Sequence, residues 1–330
     1  MKRQALFFTA PFTLALREEE LPPPGAGQAL VQTELSAISA GTEMLVYRGQ
    51  TPAGVAVDAT IAALDGDFAY PLKYGYAVVG RVIAVGPGVE HTWLDRTVFA
   101  FNPHESHFLA PVEALIPLPD GIDSAAAVFL PNMETAVSLL MDGRPVIGER
   151  VAVVGQGVVG LLTTMLLAAM PLAALTTVDP LAERQQWARR LGAVALSPEE
   201  AAATQAATAD LTYELSGAPR GLDLAISLTG DFGRVVIGSW YGSKPVALDL
   251  GGRFHRAHMR LIGTQVSNLA PEWGGRWTKR RRLEVAWEMI RRCRPQQLIT
   301  HRLPLARAAE AYRLLDEQPQ QAIQIVLTYP

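Results

Sequence analysis

The run Val151-Ala152-Val153-Val154-Gly155-Gln156-Gly157-Val158-Val159-Gly160 carries the clearest chemistry in the chain. An uncharged, β-branched stretch runs into G-x-G-x-x-G. Gly155 permits a tight turn, Gly157 lets the backbone approach a pyrophosphate, and Gly160 lets a helix pack closely on the strand before it. The phosphates are then expected at the helix N-terminus, where free N–H groups and the dipole favour an anion, with Gln156, Val158 and Val159 counted among the binding residues. Asp179 follows about 20 residues beyond the last glycine, at the end of the next apolar run, where a carboxylate can bind the ribose hydroxyls of an adenosine. A nicotinamide dinucleotide is the expected cofactor. A carboxylate at that place repels a 2′-phosphate, so NAD(H) is expected over NADP(H). Arg184 either offsets that repulsion or lies exposed on the following helix.

His104-Glu105-Ser106-His107 is the other local cluster of ionisable side chains. Two imidazoles need a third ligand to hold zinc. The expectation is a polar turn, with His107 a candidate pocket residue. Ser239-Trp240-Tyr241-Gly242 and Asn132-Met133-Glu134 place polar and aromatic groups after a strand and within an apolar stretch.

These residues must be held by two kinds of framework. The first third reads as short strands punctuated by Gly and Pro: 28–38, where Val31, Thr33 and Leu35 alternate with Gln32, Glu34 and Ser36, then 77–85, 97–101 and 108–109. Many short strands with such turns suggest a β-barrel-like domain. Residues 50–69 lack periodicity and read as a loop or short helix. Residues 124–141 read as a helix. From 150 onward strands (151–154, 175–178, 211–214, 235–237) alternate with helices (158–170, 181–191), which implies a parallel sheet with crossover helices. Residues 276–294 read as an amphipathic helix with a solvated basic start, on the stripe Leu283, Ala286, Trp287 and Ile290. A helix at 306–315 and a strand at 322–327 follow. The expected division is 1–121, 122–294 and 295–330.

The chain has 330 residues, 49% of them hydrophobic and 18% charged, with 29 basic against 32 acidic side chains and a net charge of −3. This is a globular composition, and it offers no general basic field for nucleic acid. One cysteine, Cys293, excludes an intrachain disulfide and a four-cysteine zinc lobe, and a reducing, cytoplasmic setting is expected. The uncharged run 151–178 is long enough to span a bilayer, at about 20 residues. Its glycines, Pro171 and the immediate Asp179 favour a buried strand, helix and strand instead, so no membrane is expected.

Further motifs bring a resemblance into view. Gly75-Tyr76-Ala77-Val78-Val79-Gly80 with Gly86 and Val89 resembles the medium-chain alcohol dehydrogenase signature G-H-E-x2-G-x5-G-x2-V. Ala37-Ile38-Ser39-Ala40-Gly41-Thr42-Glu43 through Tyr47-Arg48-Gly49 resembles that family's G-I-C-G-T-D…Y-R-G. Thr135-Ala136, Leu215-Ser216-Gly217 and the run 299–305 resemble later landmarks, so the likeness covers nearly the whole chain. It implies an α/β fold: a GroES-like barrel domain that carries the catalytic residues, a Rossmann domain that binds the nucleotide, and a C-terminal return to the first.

The departures from that pattern bear on mechanism. Where zinc-dependent members place a Cys, a His with its following Glu, and a third ligand, this chain has Ser39 or Ala40, then Tyr76 and Ala77, then Pro131 or Asn132. None is an ordinary zinc ligand, so no metal is expected. Tyr76, at the His position, is either a hydroxyl donor or a gap-filling aromatic. Thr42 matches the family's hydroxyl relay, and Glu43 matches the Asp that stands behind the metal ligands, to orient Tyr47, Arg48 or the cofactor or to form a simple ion pair; Tyr76, Thr42 and Glu43 are the candidate catalytic residues. The resemblance adds Ser216, Ser239 and Trp240 to the cofactor set, and Tyr47, Asn132 and Tyr241 join His107 as candidate residues of a substrate pocket. The extra residue before Gly41-Thr42-Glu43 looks like the branch containing bacteriochlorophyllide dehydrogenases. The expected function is a zinc-independent NAD(P)-dependent oxidoreductase acting on a small-molecule alcohol or carbonyl. A quinone or enoyl reductase and a non-catalytic nucleotide-binding relative are the alternatives. A homodimer is expected.

Overall fold

The computed structural model describes residues 1–52, 54–57, 61–64 and 66–330, which divide into two units: Met1–Pro131 with Arg294–Pro330, and Asn132–Cys293. The chain opens with a hairpin, β1 (Lys2–Ala10) and β2 (Thr13–Glu20), followed by β3 (Gln28–Ala37), α1 (Thr42–Tyr47), β4 (Leu72–Lys73), β5 (Val78–Val85), β6 (Thr97–Ala100), β7 (His107–Pro111), β8 (Ile116–Pro117) and α2 (Ser124–Ala127). Next come α3 (Leu130–Gly143), β9 (Arg150–Val154), α4 (Val158–Ala168), β10 (Ala174–Val178), α5 (Ala182–Arg190), β11 (Val194–Leu196), α6 (Pro198–Thr204), β12 (Ala209–Glu214), α7 (Pro219–Leu228), β13 (Thr229–Ile237), β14 (Arg260–Gly263) and α8 (Lys279–Cys293). The chain closes with β15 (Ile299–Pro304), α9 (Ala308–Glu317) and β16 (Gln324–Thr328). Of the loop or short helix expected over 50–69, residues 53, 58–60 and 65 lie outside the description; Ala62–Leu64 forms one 3-10 turn.

In the first unit the sheet order is β15-β16-β3-β5-β6-β8, with β7 also on β3. This is the GroES-like barrel. Ala29 and Val31 of β3 turn inward with Val78, Val82, Val98 and Phe108. A second core gathers Phe8, Ile38, Met44, Tyr312, Ile325 and Leu327. The return is part of the framework, because β16 pairs antiparallel with β3 and parallel with β15.

The first unit extends past the expected boundary at 121. Ser124 at the start of α2 donates from Oγ to Oε2 of Glu34 on β3, at 2.9 Å, which keeps that helix with the barrel. The single helix expected over 124–141 is two, divided before Pro131. Proline is favoured in the first turn of a helix, where its missing N–H would have no partner.

The second unit is a Rossmann domain. Its parallel sheet has the order β11-β10-β9-β12-β13-β14 among the described residues, so the direction of winding reverses between β9 and β12. Val151 and Val153 of β9 pack in one layer with Leu211, Tyr213 and Val236, while Val154 packs in the other with Val178, Ile226 and Val235. A strand covered on both faces carries no charge, which accounts for the uncharged run. The helix within that run, α4, has 11 residues, about 16 Å at 1.5 Å per residue. Among the described residues no helix is long and apolar enough to cross a membrane.

Candidate active site and nucleotide site

The glycine turn sits at the end of β9, beside the strand where winding reverses, the place at which open α/β sheets bind ligands. Gly155 has φ +95°, and a Cβ there would lie 2.6 Å from the Leu215–Ser216 backbone. A Cβ on Gly160 would lie 2.0 Å from the carbonyl oxygen of Gly155, so only glycine lets α4 start so close to the strand. Gly157 differs. It caps α4 without a side-chain hydrogen bond, and a Cβ on it would meet nothing within 4 Å. The protein leaves that space open beside the first N–H groups of the helix, as an approaching pyrophosphate requires. The residues present therefore fit a dinucleotide.

Two members of the expected cofactor set are joined to each other. Oδ2 of Asp179 accepts the backbone N–H of Gln156 at 2.7 Å, and Oδ1 accepts that of Leu181 at 3.0 Å. Asp179 is only 3% exposed, and Nη1 of Arg184 stands 3.8 Å from Oδ2. Arg184 is thus a neighbour of the carboxylate rather than a solvated helix residue. Gln156 is buried; its side chain donates to the Gly155 carbonyl and accepts from Thr164, so it faces the domain interior and not a phosphate. Val158 is buried and Val159 half-buried. Their part in binding lies in the backbone.

Ser216 gives its N–H (2.8 Å) and its hydroxyl to Oε1 of Glu214. Ser239 Oγ accepts the N–H of Gly217 at 2.8 Å. Trp240 stays 37% exposed. Tyr241, expected in a substrate pocket, instead donates to Oε2 of Glu214 at 2.5 Å and packs on the Rossmann core. Burial, with the Glu214 hydrogen bond and charge, pushes its phenol well above the ordinary range. Glu214 is itself fully buried, a charged residue at the end of an apolar strand that sequence reading passed over. Asn132 is half-buried on α3. Its neighbour Glu134 accepts from buried Arg282, at 3.0 Å from Nε and 2.8 Å from Nη2. Burial pushes the Glu134 carboxyl up, against the pull of Arg282. The basic start expected to be solvated is therefore only partly so.

The barrel unit builds a second site around Glu43. Its Oε1 accepts the N–H of Ser39 at 2.8 Å, while its own N–H donates to the Ser39 carbonyl at 3.0 Å. Oε2 accepts the phenol of Tyr312 and lies 3.0 Å from Nε2 of His104. Nδ1 of His104 lies 2.7 Å from Ser36 Oγ, which lies 2.8 Å from the Tyr329 hydroxyl. Burial first, then the Glu43 charge, holds the Tyr312 phenol well above its ordinary range.

His104 corrects the expectation of a polar turn. It is fully buried because the opening hairpin lies on it: Leu6 N–H donates to the His104 carbonyl, and Ser106 N–H to that of Gln4. Arg3 and Lys73 pair with Glu105 at 3.1 and 2.6 Å. Gly75, at φ +123°, makes room for the imidazole, since a Cβ there would lie 2.8 Å from the ring.

Tyr76 donates its hydroxyl to Ser39 Oγ at 2.5 Å, and its ring meets that of Tyr74 edge-on at 6.2 Å. Thr42 opens α1, partly buried. Tyr47 is 4% exposed and packs against Phe12 and Tyr312, which makes it a core residue and not a pocket wall. His107 is half-buried, with Nδ1 at 3.2 Å from Ser106 Oγ, and burial lowers its pKa.

The positions that match the family's ligands hold hydroxyl, aromatic, alkyl and amide side chains. Among the described residues no group of three His, Cys, Asp or Glu side chains is placed to hold a metal ion.

No family model matches the chain. It is 25% identical over 344 residues to an uncharacterised zinc-type alcohol dehydrogenase-like protein of Escherichia coli, covering 92% of each chain. It is 26% identical over 341 residues to the 2-desacetyl-2-hydroxyethyl bacteriochlorophyllide A dehydrogenase of Rhodobacter capsulatus, covering 97% of this chain and 96% of that one. Its fold is similar to that of the acetophenone reductase of Geotrichum candidum, solved in complex with NAD, with a TM-score of 0.79, 18% identity and coverage of 99% and 97%. Along nearly its whole length, and in the Rossmann and GroES-like folds of its two units, the chain is thus similar to zinc-type alcohol dehydrogenase-like proteins of the medium-chain dehydrogenase/reductase type, a bacteriochlorophyllide dehydrogenase among them.

Proposed function

We propose that the protein is a zinc-independent, NAD(H)-dependent oxidoreductase that moves a hydride between nicotinamide and an alcohol or carbonyl substrate. The observation that carries this reading is the hydroxyl pair Tyr76–Ser39, bonded at 2.5 Å where the resembling family places metal ligands. Relatives named as dehydrogenases along nearly the whole chain support the reaction class.

Bound NADH supplies the hydride, an electron pair with one hydrogen nucleus, to a carbonyl carbon. The chain supplies the rest. The open space at Gly157 and the start of α4 receive the pyrophosphate. Asp179 keeps a negative charge at the end of β10, which disfavours a 2′-phosphate. The Tyr76–Ser39 pair gives the substrate oxygen its proton, with Thr42 as the neighbouring hydroxyl. Stabilising developing negative charge with a fixed donor is the role a metal would otherwise fill. We read the protein as a cytoplasmic homodimer.

The test is turnover by protein purified without added metal, on a panel of alcohols, ketones and enones with both nucleotides, beside elemental analysis. Expected are alcohol or carbonyl turnover with NAD(H), far less than one zinc per chain, and no loss of activity to a chelator. Stoichiometric zinc whose removal stops turnover overturns the reading. Reduction of enones alone makes the chain an enoyl-type reductase. Tight nucleotide binding without turnover makes it a non-catalytic relative.

A further inference from the structure

We infer that Ser39, rather than Tyr76, is the residue that hands the proton to the substrate oxygen, with Tyr76 as the source behind it. The inference rests on the oxidoreductase reading above and assigns the roles within its hydroxyl pair. A hydroxyl has one hydrogen and two acceptor positions. The Tyr76 hydrogen points at Ser39 Oγ, at 2.5 Å. That hydrogen is engaged, while Ser39 accepts with a lone pair and keeps its own hydrogen for a third group. The direction also suits the acidities, because a phenol, at about 10, is a stronger acid than an aliphatic alcohol.

Ser39 is held as a catalytic group requires. Its N–H and carbonyl both bond to Glu43, at 2.8 and 3.0 Å. The preceding residue, Ile38, is tied on both sides: its N–H donates to the Ile325 carbonyl at 3.1 Å, and its carbonyl accepts from Nε2 of Gln324 at 2.8 Å. Glu43 is fixed in turn by Tyr312 and His104. Glu43 is thus a positioning residue, whereas Ser39 and Tyr76 remain only partly buried. Preorganisation of this kind lowers the reorganisation needed when charge develops.

In the reducing direction the carbonyl carbon gains the C–H bond and the π pair moves onto oxygen. That oxygen takes the Ser39 proton, Ser39 Oγ takes the phenolic proton of Tyr76, and Tyr76 is reprotonated from bulk solvent, so that one proton is taken up for each carbonyl reduced. The carbonyl is reduced and the dihydronicotinamide oxidised. Oxidation of an alcohol runs the same transfers in reverse.

Two measurements test the assignment. The first is single-turnover hydride transfer with the best substrate of the panel. Ser39→Ala is expected to slow it by about 10²–10³-fold. Ser39→Thr, which restores a hydroxyl, is expected to recover most of that loss. Tyr76→Phe is expected to cost less than Ser39→Ala, about tenfold, since Ser39 keeps its own hydrogen. The second uses nucleotide-free protein with carbon-13 at tyrosine Cζ. The signal absent from Tyr76→Phe belongs to Tyr76; Ser39→Ala is expected to shift it and Ser39→Thr to leave it near its place. A wild-type rate in Ser39→Ala, a larger loss in Tyr76→Phe than in Ser39→Ala, or an unmoved Tyr76 signal overturns the inference and leaves the oxidoreductase reading intact. A wild-type protein that turns over nothing on the panel overturns both.

Discussion

Oε2 of Glu43 lies 3.0 Å from Nε2 of His104, and neither side chain is exposed to solvent. A buried carboxylate is tolerated only where donors surround it. Here they come from three separate stretches of chain: the Ser39 N–H, the Tyr312 phenol and the His104 ring. Removing one donor leaves the others fixed and the carboxylate under-satisfied. His104→Ala is expected to cost about 1–3 kcal/mol of folding stability, the penalty of leaving a buried polar group without a partner. His104→Gln, which keeps one N–H in reach, is expected to cost about half as much. Urea unfolding measures both, and a loss below about 1 kcal/mol for His104→Ala would show the pair to be incidental.

The three glycines of the nucleotide turn are expected to respond differently to alanine. A methyl on Gly160 collides with the Gly155 carbonyl, so Gly160→Ala loses both stability and nucleotide binding. A methyl on Gly157 meets no protein atom within 4 Å, and its φ of −70° suits any residue. Gly157→Ala is therefore expected to keep the melting temperature of the wild type and to weaken NADH binding by about tenfold or more. Unchanged NADH affinity in Gly157→Ala would mean that no phosphate approaches that backbone.

NADH is expected to bind at least about tenfold more tightly than NADPH, because the Asp179 charge opposes a 2′-phosphate. Asp179→Asn is expected to narrow the gap and to weaken NADH as well, since Oδ2 also holds the N–H of Gln156 in the phosphate turn. Fluorescence titrations with both nucleotides decide it. Equal affinities in the wild type would show that Arg184, 3.8 Å from the carboxylate, outweighs it.

Acid should release one brace of the Rossmann domain at a defined point. Burial raises the Glu149 carboxyl, but the Arg234 hydrogen bonds, the Val146 N–H and the Arg234 charge together hold it below its ordinary value. A carboxyl lowered in the folded state adds stability above its unfolded pKa and loses that contribution as pH falls through the folded one. Glu149→Gln is expected to cost about 1 kcal/mol at neutral pH. It should cost almost nothing in strong acid, where wild type and variant carry the same charge. Denaturant titrations at the two pH values measure the difference, and a pH-independent cost would point to packing instead.

The nucleotide half of the fold was legible because its signals are local. A buried strand, a glycine turn and a covered helix lie within residues 150–168. The site around Glu43 was not legible. Its members, Ser36, Glu43, His104, Tyr312 and Tyr329, are gathered by strand pairing across most of the chain, and no spacing rule links them. Arg282 did carry a signal. It stands one turn before Ala286 and two before Ile290, on the buried stripe of α8, and only its charge argued for solvent. Tyr47 shows the opposite failure. Family position suggested an open wall, and aromatic packing absorbed it.

The division of the chain sets an order of assembly. Residues 132–293 form one unit from a continuous stretch, while the barrel needs both 1–131 and 294–330. A chain leaving the ribosome N-terminus first has every residue of its nucleotide-binding unit before Tyr312 or Tyr329 has been made. Until then Glu43 lacks its phenol and β3 lacks its β16 neighbour. Nascent chains should hence complete the unit that carries the glycine turn while the Glu43 cluster still waits for its last partners, so that the two halves mature one after the other.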